Sequence, residues 1–376
     1  MRGNAIATGE RLLKIDRLDL GIIPAVSAFF TKLYRMLHRN ICLPILLLLI
    51  VSSQTILASE LDYEALAKKF TERASEGDAI AQNNLGALYL KGRGVEQSNK
   101  QARYWFEKAV ESELPGAMFN LAMIYLRGYG VKPNLAKANR LITESAQQGD
   151  RDAQFYLGLH YYQGNGFNQD VESANLWFRR AAEQGVAAAM YNLGILYLDP
   201  APELFNESQA LHWLSKAVDA NYPNADITLA KVHLAKVDDP VRLELGIQQI
   251  TALAESNHLD AQIHLGMMYT FGQSVSQNYD EGRFWLERAA SQGNAVAQLN
   301  LGNLFAEGMG VEKNLARAFA WYSISAENGD PAAEQNVSLL REQFDDEQLE
   351  IARAEKVALQ ERFGEHLKST GDSEIR

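Results

Sequence analysis

"NLGALYLKGRGVEQS", residues Asn84 to Ser98, runs from an apolar segment into a Gly-x-Gly turn. Such a turn reads either as a phosphate cradle or as a plain corner, because glycine serves wherever the backbone needs positive φ or close approach. The rest of the chain decides between them. The pair Leu85-Gly86 returns as Leu121-Ala122, Leu157-Gly158, Leu193-Gly194, Leu229-Ala230, Leu265-Gly266 and Leu301-Gly302, each 36 residues after the last. Alanine stands four residues before every one of these leucines, from Ala81 and Ala117 to Ala297. A ring stands four residues after: Tyr89, Tyr125, Tyr161, Tyr197, His233, Tyr269 and Phe305. All five tryptophans (Trp105, Trp177, Trp213, Trp285, Trp321) keep the same phase, with Leu141 and Gln249 in the two remaining slots.

The spacing inside one period is helical. Ala81, Leu85, Leu88 and Tyr89 fall on one face of a first helix, and Ala102, Trp105, Phe106 and Ala109 on one face of a second. The small residue at the Gly86 position lets the second helix approach closely. The second helix stops at Gly77, Gly149, Gly185, Gly293 and Gly329, with Asn221 and Asn257 at the same phase, the residues that tolerate a left-handed stop. Glu113 occupies that slot with no such tolerance. The Gly-x-Gly turn recurs as Gly128-Tyr129-Gly130, Gly164-Asn165-Gly166 and Gly308-Met309-Gly310. A corner is obligatory in every repeat and a phosphate site is not, so the turn is read as a corner.

Residues 79–330 thus divide into seven units. A second-type helix at 59–78 precedes them as an N-terminal cap, and helices within 331–363 follow, the last opened by Asp345 with Gln348 three residues on. Residues 364–376 read as a disordered polar tail. The predicted fold class is all-α, a right-handed α-solenoid of helix-turn-helix repeats with capping helices.

This unit resembles the Sel-one-like repeat, a relative of the tetratricopeptide repeat, whose Ala-x-x-x-Leu-Gly-x-x-Tyr, Gly-x-Gly-Val and Ala-x-x-Trp-x-x-x-Ala-Ala pattern is written most fully in Ala295–Asn328. The resemblance covers about two thirds of the chain. Two units depart from it: "DPAPELFNES" (Asp199–Ser208) and "AKVDDPVR" (Ala235–Arg242) lose both corner glycines yet keep the length, which predicts a different path there.

Charge and composition bound the function. The net charge is −11, and the first 58 residues carry seven basic and three acidic side chains, which leaves the remainder at −15. So acidic a body repels phosphate backbones, and nucleic acid is not an expected partner. "ICLPILLLLIV", Ile41 to Val51, follows Arg35, His38 and Arg39 and leads to small and polar residues ending at Ala58. Residues 1–58 read as a signal peptide cleaved after Ala58, with residues 1–35 as a mis-assigned start; the alternative is a retained anchor over 41–58. The only cysteine, Cys42, lies inside this leader, so cleavage leaves no thiol for disulfide, zinc or nucleophile. The expected location is periplasmic or secreted, or anchored to the inner membrane and facing the periplasm.

No catalytic signature stands out. The seven histidines do not cluster, no His-x-x-x-His spacing occurs, and neither a Gly-x-Ser-x-Gly elbow nor a Walker motif is present. No metal, cofactor or enzymatic activity is expected. The architecture and the resemblance together imply a non-catalytic scaffold or adaptor of the bacterial cell envelope that binds another protein or peptide, with an envelope enzyme or a polysaccharide-associated assembly factor as alternatives. In the tetratricopeptide relatives, first-helix positions two before, two after and five after the leucine line a concave binding face. Carried onto this chain, they suggest a partner-binding groove of Phe119, Met123, Phe155, Leu159, Tyr162, Tyr191 and Ile195. The rings at Phe119, Phe155 and Tyr191 equally suit bracing between adjacent helices.

Overall fold

The computed structural model describes residues 62–200 and 204–363; the leader over 1–58, the tail over 364–376 and part of the fourth corner lie outside them. Seventeen helices and no strand occur among the described residues. The chain forms two compact units, one up to Trp213 and one from Leu214.

The first unit begins with α1 (Tyr63–Ser75). Repeat 1 pairs α2 (Ala79–Lys91) with α3 (Asn99–Val110), repeat 2 pairs α4 (Pro115–Arg127) with α5 (Leu135–Gln147), and repeat 3 pairs α6 (Arg151–Gln163) with α7 (Val171–Glu183). Then come α8 (Ala187–Tyr197) and α9 (Glu207–Asp219), the helix within which the unit boundary falls. The second unit continues with α10 (Ala225–Leu234) and α11 (Pro240–Glu255) of repeat 5, α12 (Leu259–Phe271) and α13 (Tyr279–Ala290) of repeat 6, and α14 (Ala295–Glu307) and α15 (Leu315–Glu327) of repeat 7. It ends with α16 (Pro331–Gln343) and α17 (Asp346–Phe363). Within each unit consecutive helices pack as antiparallel pairs, and the phase-locked residues form the cores: Leu85, Leu157, Leu265 and Leu301 are fully buried, as are Phe106 and Phe178.

Helix contact explains the residue after each leucine. A Cβ built on Gly158 would lie 2.7 Å from the Phe178 ring, and one on Gly86 would lie 2.7 Å from Phe106. The absence of a side chain is what allows the ring to press on the first helix. Every corner but that of repeat 5 closes in one way: the backbone N–H of the residue capping the second helix donates to the carbonyl of the ring residue, as Ser98 to Tyr89 (2.9 Å), Asn134 to Tyr125 (2.8 Å), Asp170 to Tyr161 (3.0 Å) and Asn314 to Phe305 (2.9 Å). The second corner glycine has a separate task. A Cβ on Gly94 would lie 1.9 Å from the Tyr63 carbonyl oxygen, on Gly130 2.9 Å from Asn99, and on Gly310 2.1 Å from Tyr279. Each of these corners rests on the start of the preceding second-type helix, so the turn is a seat between repeats.

Glu113 does take the left-handed conformation of its slot, with φ 55°, alongside Gly149 at 94° and Asn257 at 70°. The phase of the array overrides the residue's own preference there. Repeat 5 departs as its missing glycines predict. Its second helix starts at Pro240, three residues before the 36-residue phase would place it, and the corner bond runs from the Asp239 N–H to the Lys236 carbonyl (3.1 Å). Corner residues have become helix, which keeps the period intact. At the C-terminus the reciprocal capping box is present: the Gln348 N–H donates to Asp345 Oδ1 (2.8 Å) and the Asp345 N–H to Gln348 Oε1 (3.0 Å). The helix it opens, α17, packs on α15 and buries Ala352 and Leu359.

Candidate functional site

The face predicted to bind a partner lies on the first helices of repeats 2 to 4. The structure corrects its depth. Phe119, Met123, Phe155 and Leu159 are no more than 4% exposed and belong to the hydrophobic cores. Rings close over this face: Phe119 of α4 packs on Tyr156 of the next first helix at 5.3 Å between centroids, and Phe155 packs on its neighbour Tyr156 and on Phe178 of α7, each at 5.8 Å. These four side chains are a floor, not an open groove. Tyr162, Tyr191 and Ile195 are half-buried, as are Tyr156, Met190 and Leu198. Burial raises the Tyr156 phenol above its ordinary pKa, so the ring presents a neutral hydroxyl. Toward repeat 1 the floor turns polar: Asn120 Nδ2 donates to Asn83 Oδ1 at 2.8 Å, both residues being buried.

A second concavity, a cleft, is lined by Leu135, Asn139, Arg140, Thr143, Glu144 and Phe167 of repeats 2 and 3. Its polar groups are engaged with one another. The Asn139 amide donates to the Asn165 carbonyl (3.0 Å) and its oxygen faces His160 Nδ1 (2.7 Å), while Arg140 lies 3.5 Å from Glu144 and Thr143 donates to the Asn139 carbonyl. Burial holds His160 down at about 4, so it is a neutral packing residue at ordinary pH. His233 is paired in the same manner with Gln249 (2.7 Å), the residue in the vacant tryptophan slot, so ring and partner have changed together. No group of three or more His, Cys, Asp and Glu side chains is placed to hold a metal among the described residues, and no helix among them is long and apolar enough to cross a membrane.

A sequence profile of the Sel1 repeat matches residues 79–113, 115–150, 151–186, 187–222, 259–294 and 295–330, more than half of the chain. The chain belongs to the Sel1 repeat family. Residues 223–258 fall outside the match, although they fold as the helix pair α10–α11. Two crystal structures are similar along most of the Sel1 array. One is of a protective antigen present in uropathogenic Escherichia coli strains that displays an SLR fold, 26% identical over 84% of this chain and 68% of that one, with a TM-score of 0.64. The other is of a Sel1 repeat protein from Oxalobacter formigenes, 30% identical over 73% of this chain and 80% of that one, with a TM-score of 0.56. No curated protein sequence matches this one significantly. Sel1 repeats generally serve as scaffolds for protein–protein contacts and not as catalysts.

The Sel1 stack carries one set of residues that reasoning from apolar phase passed over. Gln82, Gln154, Gln262 and Gln298 stand three residues before their leucines, and each donates its amide to a carbonyl eight residues back in the preceding helix, at 3.1 Å (Ala74, Ala146, Ala254 and Ala290). The oxygen of Gln154 then accepts from Gln184 (2.8 Å), that of Gln262 from Gln292 (2.7 Å) and that of Gln298 from Asn328 (2.9 Å). The signal was in the sequence, since the four glutamines share one phase.

Proposed function

We propose that this Sel1 repeat protein is a non-catalytic scaffold of the bacterial cell envelope that binds a partner protein along the first helices of repeats 2 to 4. The observation that supports this reading is a run of half-buried Tyr162, Tyr191 and Ile195 on the same first helices as the buried rings Phe119 and Phe155. Rings held in place by packing lose little conformational freedom on binding, which is why aromatic anchors dominate protein interfaces. Export rests on the basic flank and apolar run before Ala58.

Crosslinking capture from the envelope fraction tests the site. Tyr162→Glu combined with Ile195→Glu removes the captured partner and leaves the melting temperature near that of the parent. Equal capture by the variant refutes the site. Sequencing of the mature N-terminus tests export, with Ser59 as the first residue; retention of the protein in the cytosolic fraction refutes it.

A further inference from the structure

Charge is unevenly placed along the chain. Residues 79–150, repeats 1 and 2, hold nine basic and six acidic side chains, whereas residues 151–376 hold seventeen and thirty-two. The corners concentrate the difference. Those of repeats 1 and 2 (91–98 and 127–134) carry Lys91, Arg93, Arg127 and Lys132 against Glu96 alone. The five that follow at the same phase carry three basic residues and seven acidic ones. In the slot six after the leucine the sign reverses, from Lys91 and Arg127 through Gln163 to Asp199, then Ala235, Phe271 and Glu307.

The four corner cations also differ from those on the second helices of the same repeats. There, Arg103 pairs with Glu107 (3.6 Å), Lys108 with Glu111 (2.9 Å) and Arg140 with Glu144 (3.5 Å). Lys91, Arg93, Arg127 and Lys132 are exposed, and none forms an ion pair among the described residues. Their contacts are with neutral groups: Arg93 donates to Tyr63 Oη (3.2 Å) and lies over its ring, and Arg127 hydrogen bonds to the Tyr156 phenol. Asp152, the acid facing Tyr156, lies 3.9 Å from Arg151. Partial burial and the charge of Arg93 hold Lys91 below its ordinary pKa, a strain that an arriving carboxylate relieves. Lys91 and Arg127 close α2 and α4, adjacent first helices in contact, and Arg127 reaches onto α6 at Tyr156. The cations thus run up to the edge of the first-helix site.

We infer that the corner end of α2 and α4 binds an acidic segment of the partner protein, whose carboxylates meet Lys91 and Arg127. This binding rests on the first-helix site proposed above and extends it into repeat 1. Charge favours a short segment over larger anions. Screening confines the attraction of the cations to about 10 Å. A nucleic acid, an anionic membrane or a second copy of this chain would also set extended negative charge against the acidic repeats that follow. Packed helix axes lie about 8–10 Å apart and an extended chain advances about 3.3 Å per residue, so acids three residues apart span Lys91 to Arg127.

The probe is a labelled dodecapeptide with glutamate at every third position and tyrosine, leucine and serine between, titrated against the full chain by fluorescence anisotropy. Glutamines replace the glutamates in the control. The glutamate peptide binds saturably at one site, at least tenfold tighter than the control, and loses that advantage at high salt. Lys91→Gln with Arg127→Gln weakens it at least tenfold while the melting temperature holds. Arg103→Gln with Arg140→Gln, which removes the same formal charge from paired positions, changes it less than twofold. The inference is overturned by absence of saturable binding, by equal binding of the two peptides or by equal loss in the two variants. Tighter binding of a labelled oligothymidylate or of phosphatidylglycerol vesicles overturns it too, as does self-association that Lys91→Gln with Arg127→Gln dissolves. Envelope capture separates it from the site it extends. Capture lost with Tyr162→Glu and Ile195→Glu but kept with Lys91→Gln and Arg127→Gln overturns the acidic segment and leaves the first-helix site; capture kept by both overturns both.

Discussion

Gly158→Ala isolates the contact on which each helix pair depends. A Cβ there would lie 2.7 Å from Phe178 Cδ1, 2.9 Å from Cε1 and 3.2 Å from Cγ. The ring has no room to retreat, being fully buried. Alanine gains about 1 kcal/mol over glycine in a helix interior. Forcing a methyl into a filled core costs about 1–3 kcal/mol. The clash outweighs the propensity, so the variant is destabilised by up to ~2 kcal/mol. The chain also supplies the remedy. Where alanine stands in this slot, at Ala122 and Ala230, the second helix presents Ile142 and Ile250 in place of a ring, packed in the same cores. Gly158→Ala with Phe178→Ile therefore recovers stability relative to the sum of the single changes, with a coupling of about 1–3 kcal/mol. Urea denaturation followed by circular dichroism gives the four midpoints of the cycle. A single alanine variant as stable as the parent, or additive changes, refutes the close approach of the two helices.

Glu113→Gly relieves a left-handed residue that carries a Cβ, so it raises stability by about 1 kcal/mol and is read as an increased melting temperature. Gln154→Leu removes the bonds to the Ala146 carbonyl and from the Gln184 amide, each of which keeps a backbone partner at Gly149, and costs about 0.5–1.5 kcal/mol in the same denaturation assay. His160 gives a pH dependence with a definite sign. Its folded value of about 4 lies below its ordinary 6.5, so its contribution is complete above pH 6.5, where neither state holds the proton. As the pH falls from 6.5 the unfolded chain takes the proton first, and about 3 kcal/mol is lost by pH 4. Urea midpoints of the parent and of His160→Gln, compared across that window, diverge if this is right and run parallel if it is not.

The array was legible in the sequence because a strict period averages over local exceptions: Leu85 and its counterparts, the corner glycines and the capping box at Asp345 all stand where the phase puts them. Glu113 shows the limit of reading one residue at a time, since its neighbours in the array impose a φ that its own side chain disfavours. The candidate groove was named from phase alone, and phase carries no depth. Whether Phe119 and Phe155 face solvent depends on Tyr156, one residue out of the slot being read, whose ring fills the space between them.

The seat beneath each second corner glycine gives the stack a direction. Gly94 rests on Tyr63, Gly130 on Asn99 and Gly310 on Tyr279, in every case a surface that precedes it in the chain. During synthesis each corner emerges from the ribosome after its support has already been made, and domains fold N-terminal part first. Growth of the array can thus proceed by addition, one pair at a time, with no repeat waiting for a later one to shape its turn. Truncation is unequal for the same reason: deleting repeats from the C-terminal end leaves every remaining corner supported, whereas removing α1 takes away the ground under the first.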